Sequence, residues 1–167
     1  VEAARATLDR VTASTLREVA VTTDDAAATQ ALASRLAAVA CPGDLILLHG
    51  ELGAGKTQFA KGFGAGLGVT ATINSPSFVL MAEYAGRLPL FHLDLFRLSG
   101  AAEVVEGGLH DERRATGVTL VEWAERLGEA GAGARLDVVI EGAGDGPRTI
   151  HLRATRPSYD RYVEAAA

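Results

Sequence analysis

Eight consecutive residues constrain this chain more than any other feature. Gly50-Glu51-Leu52-Gly53-Ala54-Gly55-Lys56-Thr57 fits the pattern G-x-x-x-x-G-K-[ST] at every defined position. The pattern has physical content only when a buried strand leads into it and a helix leaves it. Its glycines curl the backbone into a nest of N–H groups, and the helix N-terminus adds positive potential. Leu45-Ile46-Leu47-Leu48 is a short apolar run bounded by turn residues, as expected of a strand buried on both faces. Beyond the loop, Phe59, Phe63 and Leu67 recur every four residues, which places a helix over residues 55–67 with a stop at Gly68. Strand, glycine loop and helix stand in the order that a phosphate-binding loop requires. Lys56 is then expected to reach the β and γ oxygens of a nucleoside triphosphate, and the Thr57 hydroxyl to sit on Mg²⁺.

The remaining sequence fills out one α/β domain, the size expected for 167 residues that are 48% apolar and 22% charged. Residues 1–20 read as an appendage, poorly ordered or loosely helical, residues 21–160 as the domain and residues 161–167 as a tail. Thr22 and Thr23 offer N-cap oxygens ahead of Asp24 and Asp25 in a first turn, and Leu32, Leu36 and Val39 carry that helix to about Ala40, where Pro42-Gly43 stops it. Residues 77–84 and 88–96 alternate around Ala85-Gly86-Arg87 as a hairpin. Residues 99–106 look helical up to Gly107-Gly108, residues 118–123 form a strand, and residues 136–141 and 148–153 make a closing hairpin. The fold class is a P-loop NTPase-like sandwich, a central mixed β-sheet flanked by helices.

Composition excludes several functions. A net charge of −5 argues against a direct grip on nucleic acid, so any RNA connection is expected to run through a partner. No apolar run approaches the roughly 18–20 residues of a membrane span. The single cysteine, Cys41, has no disulfide partner, reads as a buried or half-buried residue, and suggests a reducing, cytoplasmic setting. A second metal contact is expected from a carboxylate at the end of a buried strand. Glu122, closing Val118-Thr119-Leu120-Val121, and Asp94, within Phe91-His92-Leu93-Asp94-Leu95-Phe96, both fit. The alternatives are an exposed strand-end Glu122 and an Asp94 that pairs with Arg97 or caps a helix. His92 reads more naturally as a core residue than as a catalytic base.

Four blocks resemble the TsaE family, also called YjeE. They are Leu48-His49 and the glycine loop with Phe59 and Gly62; Ser75-Pro76-Ser77-Phe78; His92-Leu93-Asp94-Leu95-Phe96-Arg97-Leu98; and Val121-Glu122-Trp123. The resemblance spans about residues 22–155. It implies an ATPase required for threonylcarbamoyladenosine formation at position 37 of tRNA. It further implies Mg²⁺ held by Thr57 and Glu122, an Asp94 needed for hydrolysis, a Ser75-Pro76-Ser77 switch loop and a Trp123 close to the nucleotide. Ser77 stands where the family usually has Thr, Phe96 where Tyr is common, and Ala124 where Pro often follows.

The resulting expectation is an ATP/ADP site with Mg²⁺. Glu51, Leu52, Gly53, Ala54, Gly55, Lys56, Thr57, Gln58 and Trp123 bind the nucleotide; Lys56, Asp94 and Glu122 act in catalysis; and Thr57, Glu122 and Asp94 hold the metal. Thr23, Asp24 and Thr29 are candidates for the edge of the base pocket. No arginine finger adjoins the motif in sequence, so hydrolysis is expected to be slow until a partner acts, in the resembling family the TsaB–TsaD pair. There TsaD builds the modification and ATP turnover resets the complex. The rival readings are a small-molecule kinase with Arg113-Arg114 on a lid, a nucleotide-switched binding module without turnover, and a GTPase, which lacks an Asn-Lys-x-Asp segment to read guanine.

Overall fold

The computed structural model describes residues 16–76, 81–97 and 112–167. Among them, seven strands build one sheet: β1 (Arg17–Thr23), β2 (Leu45–His49), β3 (Met81–Tyr84), β4 (Leu90–Asp94), β5 (Val118–Glu122), β6 (Leu136–Glu141) and β7 (Arg148–Ala154). Their order is β1-β7-β6-β2-β5-β4-β3. The inner strands β6, β2, β5 and β4 run parallel, whereas β1 and β7 on one side and β3 on the other are antiparallel additions. This mixed sheet carries α1 (Ala26–Ala37), α2 (Lys56–Gly66) and α3 (Asp160–Ala166) on one face.

Alternation along the strands sorts the side chains into two cores. Ile46 and Leu48, Val118 and Leu120, and Leu136 and Val138 turn toward the α-helices, where they meet Leu32, Phe59, Phe63 and Tyr162. Leu47, Phe91, Leu93 and Val121 turn the other way, onto Ala124 and Leu127 of a 3₁₀ segment, Ala124–Gly131. Because the inner strands are parallel, their C-terminal ends gather on one edge of the sheet, the place where open α/β sheets bind ligands. The register sets Leu48 and Asp94 on either side of Glu122 at that edge.

Several expectations need correction. Residues 17–20, read as part of an appendage, belong to β1, an edge strand paired along its whole length with β7. Val19 and Val21 lean on the core and Thr23 is buried, a stripe too thin to show as a pattern in sequence. The supposed tail is a docked helix, with Tyr162 fully buried and its hydroxyl donating to the Asp44 carboxylate, which also accepts from Arg161. The N-cap of α1 is Asp25, whose carboxylate accepts from the Ala28 N–H at 2.8 Å, while Thr23 stays in β1 and bonds the Thr29 hydroxyl. Cys41 is exposed, because the turn holding it runs over the surface ahead of Pro42. The helix expected over 99–106 and the first residues of the hairpin, 77–80, lie outside the described residues. Within them β3 with β4, and β6 with β7, are the two antiparallel pairs expected.

Candidate functional site

The chain leaves β2 at His49 and turns through the glycine loop into α2. Gly55, the N-cap of α2, has φ 111° and no side-chain cap, so the first N–H groups of the helix keep their capacity for an anion. Gly50 is needed for close approach: a Cβ there would lie 2.7 Å from the Ile140 carbonyl oxygen. The loop is braced from outside by Arg148, whose Nε donates to the Ala54 carbonyl at 2.8 Å and whose Nη2 donates to that of Gly53 at 3.2 Å.

Lys56 begins α2 and is only 6% exposed. Its ammonium donates to the carbonyls of Gly50 and Glu51 and lies 4.1 Å from the centroid of the Trp123 ring. Burial lowers its pKa, and the nearby carboxylates of Glu122, Glu125 and Asp94 act against that shift. Trp123 follows β5 directly, in a left-handed backbone conformation with φ 57° that a bulky residue rarely adopts. That turn carries its ring over Lys56 and against Phe96, with centroids 4.9 Å apart.

Glu122 and Asp94 are both buried, and both come to the end of this cleft. Glu122 Oε1 accepts from the Thr57 hydroxyl at 3.1 Å, and Oε2 from the Ser75 hydroxyl at 3.3 Å. The Ser75 hydroxyl also bonds Asp94, whose other oxygen accepts from the Phe96 N–H at 2.9 Å. Burial pushes the Glu122 carboxyl up, but His92 and the Thr57 and Asp94 neighbours outweigh it and hold the group below the usual carboxylate range. His92 is fully buried beside it, its Nε2 3.6 Å from Glu122 Oε1, an electrostatic contact too long for a hydrogen bond.

Two hydroxyls and two carboxylates therefore meet, an all-oxygen donor set that suits Mg²⁺. Among the described residues no group of three or more His, Cys, Asp or Glu side chains forms a cage, so a cation held here takes its other ligands from water or phosphate. The cleft measures about 430 Å³ and is lined by Leu52, Gly53, Gly55, Gln58 and Arg97 besides the residues above. Of the expected loop residues, Glu51 and Ala54 do not line it; Glu51 contributes its carbonyl to Lys56, and Ala54 faces the far side of the loop. Sequence reasoning named Arg97 only as an alternative partner of Asp94, not as a residue of the cleft, and passed over Arg148, for which the sequence carries no signal. Arg113 pairs with Glu83 in a 3₁₀ turn, Glu112–Thr116, that precedes β5, at the opposite end of the strand from Glu122.

A parallel-centred sheet with the glycine loop and paired carboxylates at its C-terminal edge defines an α/β P-loop fold. The chain belongs to the TsaE family: residues 23–150 match the family described as "Threonylcarbamoyl adenosine biosynthesis protein TsaE". A Bacillus subtilis (strain 168) protein named tRNA threonylcarbamoyladenosine biosynthesis protein TsaE is 44% identical over 137 residues, covering 81% of this chain and 85% of that protein. One of the same name from Treponema pallidum is 38% identical over 108 residues, 65% of this chain and 80% of its own length. The crystal structure of YdiB from Bacillus subtilis superposes with a TM-score of 0.77 at 38% identity, covering 90% of this chain and 95% of that one.

Proposed function

We propose that this chain is a Mg²⁺-dependent ATPase of tRNA threonylcarbamoyladenosine biosynthesis, acting at the step that modifies position 37. The observation that carries this reading is the run of hydrogen bonds from Thr57 to Glu122 and, through Ser75, to Asp94, in the same cleft as Lys56. Lys56 would exchange its loop carbonyls for β and γ oxygens, and Thr57, Glu122 and Asp94 would hold Mg²⁺. Bound there, Mg²⁺ neutralises charge on the phosphate oxygens. Asp94, hydrogen-bonded to Ser75, would accept a proton from water or order it.

ATP binding and hydrolysis act on the TsaB–TsaD complex, and tRNA is met only through that complex. The net charge of −5 supports docking on protein rather than on RNA. The setting proposed is the cytoplasm; among the described residues no helix is long and apolar enough to cross a membrane. A kinase reading loses its lid, since Arg113 is paired with Glu83 at the far end of β5. Phosphate release from MgATP, alone and with TsaB, TsaD and tRNA, tests the proposal alongside Lys56→Ala and Glu122→Ala. Partner stimulation that both substitutions abolish is the expected result. A partner-independent rate, or one stimulated only by a small-molecule acceptor, overturns it.

A further inference from the structure

One buried polar side chain takes no part in holding phosphate or cation. His92 is fully buried on β4, and neither its Nδ1 nor its Nε2 has a hydrogen-bond partner among the described residues. Alternation places it between Leu90 and Asp94 on the sheet face that α2 covers, and the register sets it opposite Leu120 of β5. Leu90 and Leu120 are themselves fully buried. Such a position suits another aliphatic side chain, whereas an imidazole there leaves polar atoms desolvated and unpaired.

The register also brings a carboxylate near. Asp94 pairs with Glu122, so His92 and Glu122 form a diagonal cross-strand pair, with Nε2 3.6 Å from Oε1. That contact lies about half an ångström outside hydrogen-bond range. We propose that His92 is a positioning residue for Glu122: its Nε2–H is a reserve donor that bonds Oε1 from the sheet interior once a cation fixes the carboxylate from the cleft side. The inference rests on the reading of Glu122 as a Mg²⁺ ligand.

The two sides of Glu122 differ in what they offer. Toward the cleft it accepts from the Thr57 and Ser75 hydroxyls, and Ser75 is shared with Asp94. His92 does not line the cleft, so its donor competes with neither hydroxyl nor cation. A carboxylate that ligates a metal is ordinarily held by a further hydrogen bond, which fixes its direction and strengthens metal binding. Burial makes the ring effective in this role, because a desolvated donor gives up no water when the bond closes and acts in a low dielectric.

The test compares the wild-type chain with His92→Gln, which keeps an N–H donor near the Nε2 position, and His92→Leu, which keeps only bulk. Calorimetric titration with adenylyl imidodiphosphate, a non-hydrolysable triphosphate, is run with Mg²⁺ and with EDTA, so that the ratio of the two affinities reads the contribution of the cation. His92→Leu should reduce that ratio about tenfold and leave the EDTA affinity unchanged, while His92→Gln retains most of it. In nitrogen-15-labelled wild type, the His92 Nε2–H resonance should move downfield when Mg²⁺ joins the nucleotide complex and not when nucleotide is added alone. Four results overturn the inference and spare the Mg²⁺ reading: an unchanged ratio in His92→Leu, equal losses with Mg²⁺ and with EDTA, a His92→Gln no better than His92→Leu, or a resonance that Mg²⁺ leaves in place. If neither variant folds, the wild-type resonance decides. A wild-type affinity indifferent to Mg²⁺ overturns both readings together.

Discussion

A carboxylate as buried as that of Glu122, at 2% exposure, survives in ionised form only because neighbours compensate it. His92, the Thr57 hydroxyl and the hydrogen-bonded Asp94 do so here, and together they hold the group below the usual carboxylate range. Glu122→Gln keeps the shape and the Thr57 contact but removes the charge. It should raise the Mg²⁺ concentration for half-maximal phosphate release at least about tenfold and lower the maximal rate about 100-fold. Asp94→Asn should lower the maximal rate by a similar factor with a smaller change in Mg²⁺ demand; equal Mg²⁺ shifts in the two variants would refute their separate roles. The two acids were legible because Glu122 closes an apolar strand and Asp94 interrupts an apolar stretch. The Ser75 hydroxyl bridging them was not, since it arrives from a loop distant in sequence from both acids. Nor was the left-handed Trp123, whose strain is maintained by contacts with Lys56 and Phe96 that no local pattern encodes.

At the scale of elements, α1 and α2 are held in close contact by a glycine inside α2. A Cβ on Gly62 would come within 2.2 Å of the Gln30 carbonyl oxygen on α1, so backbone meets backbone at this crossing. Gly62→Ala gains about 1 kcal/mol of helix propensity. It should nonetheless lose a net 1–3 kcal/mol, roughly, because the helices must move apart in a close-packed core. Urea unfolding would read the change, and an unchanged or raised midpoint would show that the crossing yields freely. Periodicity revealed α2 through Phe59, Phe63 and Leu67, and revealed β2 through its apolar run, because those elements bury a full stripe or both faces. It missed β1, whose inward face offers only Val19 and Val21 and whose stability comes from a ladder to β7. It missed α3 for a related reason: that helix docks through Tyr162 and its bond to Asp44, a long-range polar anchor. Loss of residues 160–167 should therefore lower the melting temperature by several degrees, whereas a dangling tail would leave it unchanged.

For the molecule as a whole, acid should be the weak direction, and the reason lies on both sides of the sheet. Asp137 on β6 accepts from Arg135 Nε at 2.9 Å and lies 3.3 Å from His49 Nε2. Burial pushes its carboxyl up, yet His49 and Arg135 outweigh burial and leave it below the ordinary value, as with Glu122. A carboxyl depressed in the folded state binds its proton more readily when unfolded. Its stabilisation is fully present above the unfolded pKa of roughly 4 and disappears as pH falls through the folded value. Urea midpoints should therefore hold between about pH 7 and 5 as far as these two groups are concerned, and fall steeply below about pH 4. Asp137→Asn should cost about 1–2 kcal/mol at pH 7, the worth of a charge-assisted hydrogen bond, and progressively less as pH falls below about 4 through the folded value, where the wild type loses the same charge. A penalty that stays constant from pH 7 to pH 3 would mean that the introduced amide fails by shape rather than by charge. His49 leads directly into Gly50, the first residue of the glycine loop. Nucleotide affinity of Asp137→Asn at pH 7 then tells whether the ion pair steadies only the sheet or also the first residue of the phosphate cradle.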